Sequence, residues 1–188
     1  MPVNSPVPPE LLPTRQPSGP YKVGLVCLGN ICRSPMAEIV LRDELARAGL
    51  AEAVSVDSAG TGDWHIGERM HGPAQAELAR RGYDGSAHRA RQIQPSWLAG
   101  YDLLVAMDRN NLASLRRMAP PEDASRIQLL RSFDPALAED DPWEGEVPDP
   151  YGAPQEYYAL ALDLVLAGAR GLAGQLAKLL GEPAQPRT

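Results

Sequence analysis

The chain has 188 residues, 44% of them hydrophobic and 22% charged, which suits one globular domain with a sizeable core and excludes wholesale disorder. A net charge of −6 argues against a nucleic-acid binder, whose surface needs a basic surplus. Two cysteines are too few for a secreted disulfide framework, and no Cys or His pair has a recognisable metal-ligand spacing.

In chain order, the first segment is proline-rich: Pro2, Pro6, Pro8, Pro9, Pro13, Pro17 and Pro20 rule out regular hydrogen-bonded structure, so 1–20 reads as a flexible tail. Pro6 and Pro9 form a P-x-x-P, but a solvated leader is the simpler reading. No apolar core of signal-peptide length occurs there, and no run of about 18 uncharged apolar residues occurs anywhere. The expectation is a cytoplasmic protein that binds neither membrane nor nucleic acid, and a monomer by default.

Residues 22–28 (KVGLVCL) read as a buried strand, followed by a helix over 35–48 with Met36, Ile39, Val40 and Leu45 on one side and Gly49 ending it. A second strand is expected over 54–58, and a helix over 73–81 with proline in its first turn and Gly82 beyond its end. A third strand over 103–107, a helix over 110–118 and a short strand over 127–130 follow. A loop rich in Asp and Pro spans 134–154. The closing helix, 155–180, contains Gly168, Gly171 and Gly174, which weaken it and allow a kink or break. This alternation predicts a single α/β domain over 21–180, with a second short tail over 181–188. Its core would be a four-stranded parallel sheet with helices on both faces. Ligands in such folds bind beyond the carboxyl ends of the strands. The first such end is Cys27.

There the sequence reads Cys27, Leu28, Gly29, Asn30, Ile31, Cys32, Arg33, Ser34: a C-x5-R-S pattern opening a helix. A phosphate needs several donors converging on three oxygens, and a short loop before a helix supplies them as backbone N–H groups aided by the helix dipole. Gly29 and Asn30 tolerate left-handed backbone. Arg33 ends the loop with a planar fork that grips two oxygens. Cys27 would face the phosphorus, and donors that favour phosphate also favour thiolate, to which Ser34 can donate. Singly, a cysteine ending a strand is an ordinary core residue, and an arginine at a helix start is ordinarily solvated. At this spacing, in a strand–loop–helix context, they point to a nucleophile and an anion receptor sharing one phosphate-binding loop after the first strand. Cys32 is either a plain loop residue or a partner for Cys27 in a reversible disulfide.

Attack by a thiolate leaves an alkoxide or phenolate that needs a proton. Asp57, Asp108 and Asp141 are among many candidate acids, and spacing does not choose among them.

The loop CLGNICRSPMAE resembles, nearly residue for residue, the signature of the low-molecular-weight protein tyrosine phosphatases. The likeness continues through SAGTGDW (58–64), HRARQI (88–93), AMDRNN (106–111) and DPYG (149–152), closest to actinobacterial members. The resemblance implies hydrolysis of phosphotyrosine in protein substrates through a phosphocysteine on Cys27, with Arg33 binding phosphate or other oxyanions and Asp149 as general acid and then base. It implies no metal and no cofactor. It places Trp64 and Tyr151 at the entrance as substrate contacts, with Gly152 where members often carry a second tyrosine. It assigns Asn30, Ser34, Ser58 and His88 to a hydrogen-bond network that shapes the loop, and Asp108 to a structural place. Members acting on phosphoarginine carry threonine at the Ile31 position, so Ile31 favours phosphotyrosine.

Three rival readings are weaker. Thiol-linked arsenate reduction needs further relay cysteines, and the chain has none beyond Cys32. A non-catalytic phosphopeptide receptor needs neither Cys27 nor Asp149. A nucleotide P-loop enzyme needs G-x4-G-K-[ST], which is absent.

Overall fold

The computed structural model describes residues 12–13 and 18–181. In chain order the elements are β1 (Tyr21–Cys27), α1 (Arg33–Arg47), β2 (Val54–Gly60), α2 (Gly72–Arg80), β3 (Leu103–Ala106), α3 (Arg109–Met118), β4 (Ile127–Leu129) and α4 (Gln155–Leu180). Short 3-10 helices occupy Pro95–Gly100, Pro121–Arg126 and Leu130–Phe133; pieces of four to six residues are too short to leave a readable periodicity. Most of the two expected tails lies outside the described residues. Leu12, within the expected leader, is buried against the main core, and the Tyr21 hydroxyl donates to the Pro13 carbonyl at 3.1 Å.

The four strands form one parallel sheet in the order β2-β1-β3-β4. Side chains alternate across it: Val23, Leu25 and Cys27 of β1 join the core beneath α1, α2 and α4, while Val26 joins Ala59, Leu98, Leu104 and Leu115 on the α3 side. Helices therefore cover both faces. Because β2 and β3 flank β1 on opposite sides, the chain reverses direction of travel there and opens a crevice at the carboxyl end of β1. Register pairs Cys27 with Gly60 at that end.

Local signals explain the helix limits. Pro35 sits in the first turn of α1, where no intrahelical N–H is needed. Gly49, at φ 73°, ends the helix in a left-handed turn, and the Leu50 N–H reaches back to the Leu45 carbonyl at 2.8 Å. Asp108 caps α3, its Oδ1 accepting from the Asn111 N–H at 2.7 Å.

The break that the glycines of the last helix allow does not occur: α4 runs unbroken for 26 residues. Its glycines serve close approach instead. A Cβ at Gly168 would stand 2.8 Å from the Leu130 carbonyl oxygen, and one at Gly171 would run into the Phe133 carbonyl. The helix thus lies directly on the backbone of the Leu130–Phe133 turn, and that packing outweighs the propensity deficit. By length and composition the most apolar 18-residue window of α4 could cross a membrane. Half of that window is buried in the fold, and the helix's Asp163 and Arg170 pair with Arg81 and Glu44, the arrangement of a core helix.

Candidate active site

The loop between β1 and α1 wraps against the end of β2. The Cys27 and Leu28 carbonyls accept from the Thr61 and Gly62 N–H groups, both at 2.9 Å. Gly60 makes this possible, since a Cβ there would lie 2.6 Å from the Leu28 carbonyl oxygen. With those carbonyls bonded outward, the loop turns through Asn30, which is buried and left-handed at φ 57°. Its backbone N–H points at the Cys27 Sγ, 3.3 Å away.

The Asn30 side chain is the hub of the loop. Nδ2 donates to Ser34 Oγ at 2.9 Å and Ser58 Oγ at 3.0 Å, while Oδ1 accepts from the Arg91 backbone N–H at 2.9 Å. Using both donors and the acceptor fixes which way the amide faces. Ser58 Oγ in turn donates to Glu38 Oε2 at 2.5 Å. Ser34 Oγ, already accepting from Asn30, lies 3.0 Å from Cys27 Sγ and 3.3 Å from the Ala59 carbonyl, so its hydrogen has the sulfur as its nearer acceptor. His88 closes the ring from outside: Nε2 lies 2.7 Å from the Asn30 carbonyl, which can only accept, so that nitrogen carries the proton. Burial holds His88 below its ordinary value, and Arg89 and Arg91 add to this against the pull of Glu38 and the Asn30 carbonyl. The four network residues named from the sequence are therefore in contact as one cluster. Glu38 and Arg91 were missed, although both lie inside the quoted motifs, at the end of 27–38 and within 88–93.

Arg33 is buried, and both ends of its fork are engaged. NH1 donates to Asp108 Oδ2 at 2.6 Å and to the Val147 carbonyl at 3.1 Å, and NH2 stands 3.1 Å from Asp149 Oδ2. Burial alone would weaken its hold on the proton, but Cys27, Asp149 and Asp108 more than offset that and keep it above its ordinary value. Four candidate acids separate on geometry. Asp57 is tied to Arg91 at 2.9 Å and to the Tyr101 hydroxyl at 2.7 Å. Asp141 is tied to Arg131 at 2.7 Å. Asp108 sits behind Arg33 and caps α3. Asp149 alone of these lines the pocket above the sulfur, with its side chain 42% exposed against 17% for Asp108.

That pocket, about 150 Å³, is floored by Cys27, Leu28, Gly29, Ile31, Cys32 and Arg33 and walled by Trp64, His65, Asp149 and Tyr151. Burial holds the Cys32 thiol well above its ordinary range, with Cys27 and Asp149 reinforcing the effect, so Cys32 stays protonated. Both cysteines are free thiols. Trp64 and Tyr151 are largely exposed. Two histidines at the mouth were not anticipated. His65 lies against Gly29 and pairs with Glu68 at 2.8 Å. The His71 ring stands 5.0 Å from that of Tyr151, and its backbone N–H holds the Ile31 carbonyl at 2.9 Å. His65 directly follows Trp64, so its placement was available from the loop reading; His71 comes from the start of α2 and carried no local sign. Gly152 adopts φ 78°, a conformation that suits glycine over tyrosine.

A protein fold thus built places a cysteine, an arginine and a carboxylate in one pocket, and known proteins share it. Residues 22–181 match the family described as low molecular weight phosphotyrosine protein phosphatase. A low molecular weight protein-tyrosine-phosphatase of Streptomyces coelicolor is 50% identical over 153 residues, which cover 81% of this chain and 91% of that one. The crystal structure of YfkJ from Bacillus subtilis superposes with a TM-score of 0.77 at 37% identity, covering 87% of this chain and 98% of the other. A protein tyrosine phosphatase from Entamoeba histolytica, crystallised with Hepes in the active site, superposes with a TM-score of 0.78 at 29% identity, covering 84% and 97%. The chain belongs to the low molecular weight phosphotyrosine protein phosphatase family.

Proposed function

We propose that this protein hydrolyses phosphotyrosine in protein substrates through a phosphocysteine on Cys27. The observation that carries the reading is that Cys27, Arg33 and Asp149 line one pocket whose floor is the loop 27–33.

The phosphate dianion takes the pocket-facing NH2 side of Arg33 and the N–H groups of the loop, displacing Asp149 from its 3.1 Å contact toward the ester oxygen. The Cys27 thiolate, held by the Ser34 hydroxyl and the Asn30 N–H, attacks phosphorus in line. The S–P bond forms as the P–O ester bond breaks. The departing electron pair stays on the phenol oxygen, which takes the proton of the Asp149 carboxyl. In the second half, Asp149, now a carboxylate, removes a proton from water as that water attacks phosphorus. The S–P bond breaks, the thiolate is restored and inorganic phosphate leaves. Asp108 and the Val147 carbonyl keep Arg33 in place throughout.

Ile31, Trp64 and Tyr151 give the pocket apolar and aromatic walls that suit a phenyl ring, and Ile31 offers no hydroxyl to a guanidine-linked phosphate. Every group the steps require comes from one copy of the chain, so the reading needs no second subunit, membrane or nucleic acid. A nucleophile that works as a free thiol belongs in a reducing compartment, which supports a cytoplasmic location.

The test is turnover of matched phosphotyrosine, phosphoserine and phosphoarginine peptides by the reduced protein in EDTA. Selective release of phosphate from phosphotyrosine is the expected result; faster turnover of either other peptide would overturn the substrate class.

A further inference from the structure

Asp149 has little of its own to hold it. It sits in the 134–154 loop, and among the described residues its side chain's polar partners are Arg33 at 3.1 Å and the Tyr151 N–H at 3.2 Å. The place of the carboxyl therefore depends on how the loop before it is anchored.

That anchor is Arg131, in the Leu130–Phe133 turn on which Gly168 and Gly171 of α4 press. Its side chain is only 4% exposed. NH1 donates to Asp141 Oδ2 at 2.7 Å and to the Glu146 carbonyl at 3.4 Å, and NH2 lies 3.5 Å from Asp134 Oδ2. The same Asp141 oxygen accepts from the Gly145 N–H at 2.8 Å. It thereby closes a turn in which Glu144 and Gly145 are both left-handed, at φ 51° and 76°. Glu146 is fixed a second time, its Oε1 accepting from the Arg109 N–H at 2.8 Å. The next residue, Val147, donates to the Met107 carbonyl at the end of β3 and accepts from Arg33. Asp149 follows two residues later.

We propose that Arg131 is a positioning residue for the general acid: its buried pair with Asp141 sets the course of the loop that delivers Asp149 to the leaving oxygen. This rests on the function proposed above. A buried ion pair is no strong source of stability, since apolar replacements of similar shape often do as well. Tying a loop turn by accepting from Arg131 and the Gly145 N–H at once is what this pair does and an apolar pair cannot. The Arg131 hydrogen bond, with the Gly145 and Trp143 N–H groups, also keeps Asp141 below the usual carboxylate range against the effect of burial, so Asp141 stays a carboxylate through the neutral range.

The experiment measures kcat/KM for a series of aryl phosphates running from strongly activated leaving groups to phenol, because an acid matters most where the leaving oxygen is most basic. Arg131→Gln and Asp141→Asn are both made, the second because removing a buried arginine strains the fold while the isosteric amide spares it. In either variant, phenyl phosphate is expected to lose about tenfold or more and the most activated ester no more than about twofold, with inhibition by inorganic phosphate unchanged. Arg131→Lys, which keeps charge but not the fork, is expected to recover part of the loss. In an Asp149→Asn background, Asp141→Asn is expected to add nothing. Equal losses across all leaving groups, or losses that multiply with Asp149→Asn, would overturn the inference while leaving the phosphatase reading intact. A wild type that turns over none of the esters would remove both.

Discussion

Asp108 holds Arg33 with one carboxylate oxygen and starts α3 with the other: Oδ2 lies 2.6 Å from the guanidinium NH1, and Oδ1 accepts the Asn111 N–H at 2.7 Å. The two tasks are separable by mutation. Asp108→Asn keeps a capping oxygen but loses the charge behind Arg33. It is expected to lower kcat/KM by about ten- to a hundredfold while costing little stability. Asp108→Ala is expected to show the same activity loss and to cost about 1 kcal/mol more through the lost cap. Paired kinetics and thermal melts check both.

Asn30 combines a left-handed backbone with a buried amide that bonds Ser34, Ser58 and Arg91. Asn30→Ala leaves those partners short of a bond and replaces a residue that tolerates φ 57° with one that does not, for an expected loss of about 2–4 kcal/mol. Asn30→Gly relieves the backbone only, so it should be less destabilised than the alanine variant by about 1 kcal/mol yet no more active. Denaturant melts and kcat of the two variants separate conformation from hydrogen bonding.

His88 ties the loop to the acid side of the pH scale. Its folded value lies below the ordinary 6.5, so the unfolded chain binds the proton more readily. The contribution of a neutral His88 is thus complete above about 6.5 and is lost as pH falls below that through the folded value. The thermal midpoint of the wild type is expected to drop more steeply between about pH 6.5 and 5 than that of His88→Gln, since carboxylates common to both cancel in the difference. Parallel curves would contradict this.

The glycines of α4 are not equivalent. Gly171 faces the Phe133 carbonyl with no room for a Cβ, whereas Gly174 faces open space. Gly171→Ala is expected to destabilise by about 1–3 kcal/mol, and Gly174→Ala to stabilise by about 0.5–1 kcal/mol through better helix propensity. Equilibrium unfolding of the two single variants is the check.

Those glycines also mark where sequence reading stops. Strand–helix alternation and the spacing from Cys27 to Ser34 are local, and they show the sheet, the loop and its nucleophile plainly. The limits of β1, α1 and α4 fall within two residues of those expected, because prolines, glycines and apolar periodicity act over a few residues. A glycine that weakens a helix and one that admits a neighbouring backbone look identical in one dimension. The choice among Asp57, Asp108, Asp141 and Asp149 is likewise a question of which arginine each one meets. Arg91, Arg33 and Arg131 come from three separate segments, and only the folded chain pairs them off. His71 reaches the site the same way, from the start of a helix whose sequence gives no hint of it.

The most direct test of the account is whether phosphate becomes bound to Cys27 during turnover. The reduced protein is mixed with a phosphotyrosine substrate, quenched rapidly, digested and read by mass spectrometry, with Cys27→Ser treated alongside. The expected result is phosphate on the peptide carrying Cys27, none on Cys32, and no turnover by the serine variant. Sustained turnover without phosphocysteine, or with serine in place of Cys27, would contradict the mechanism at its first step.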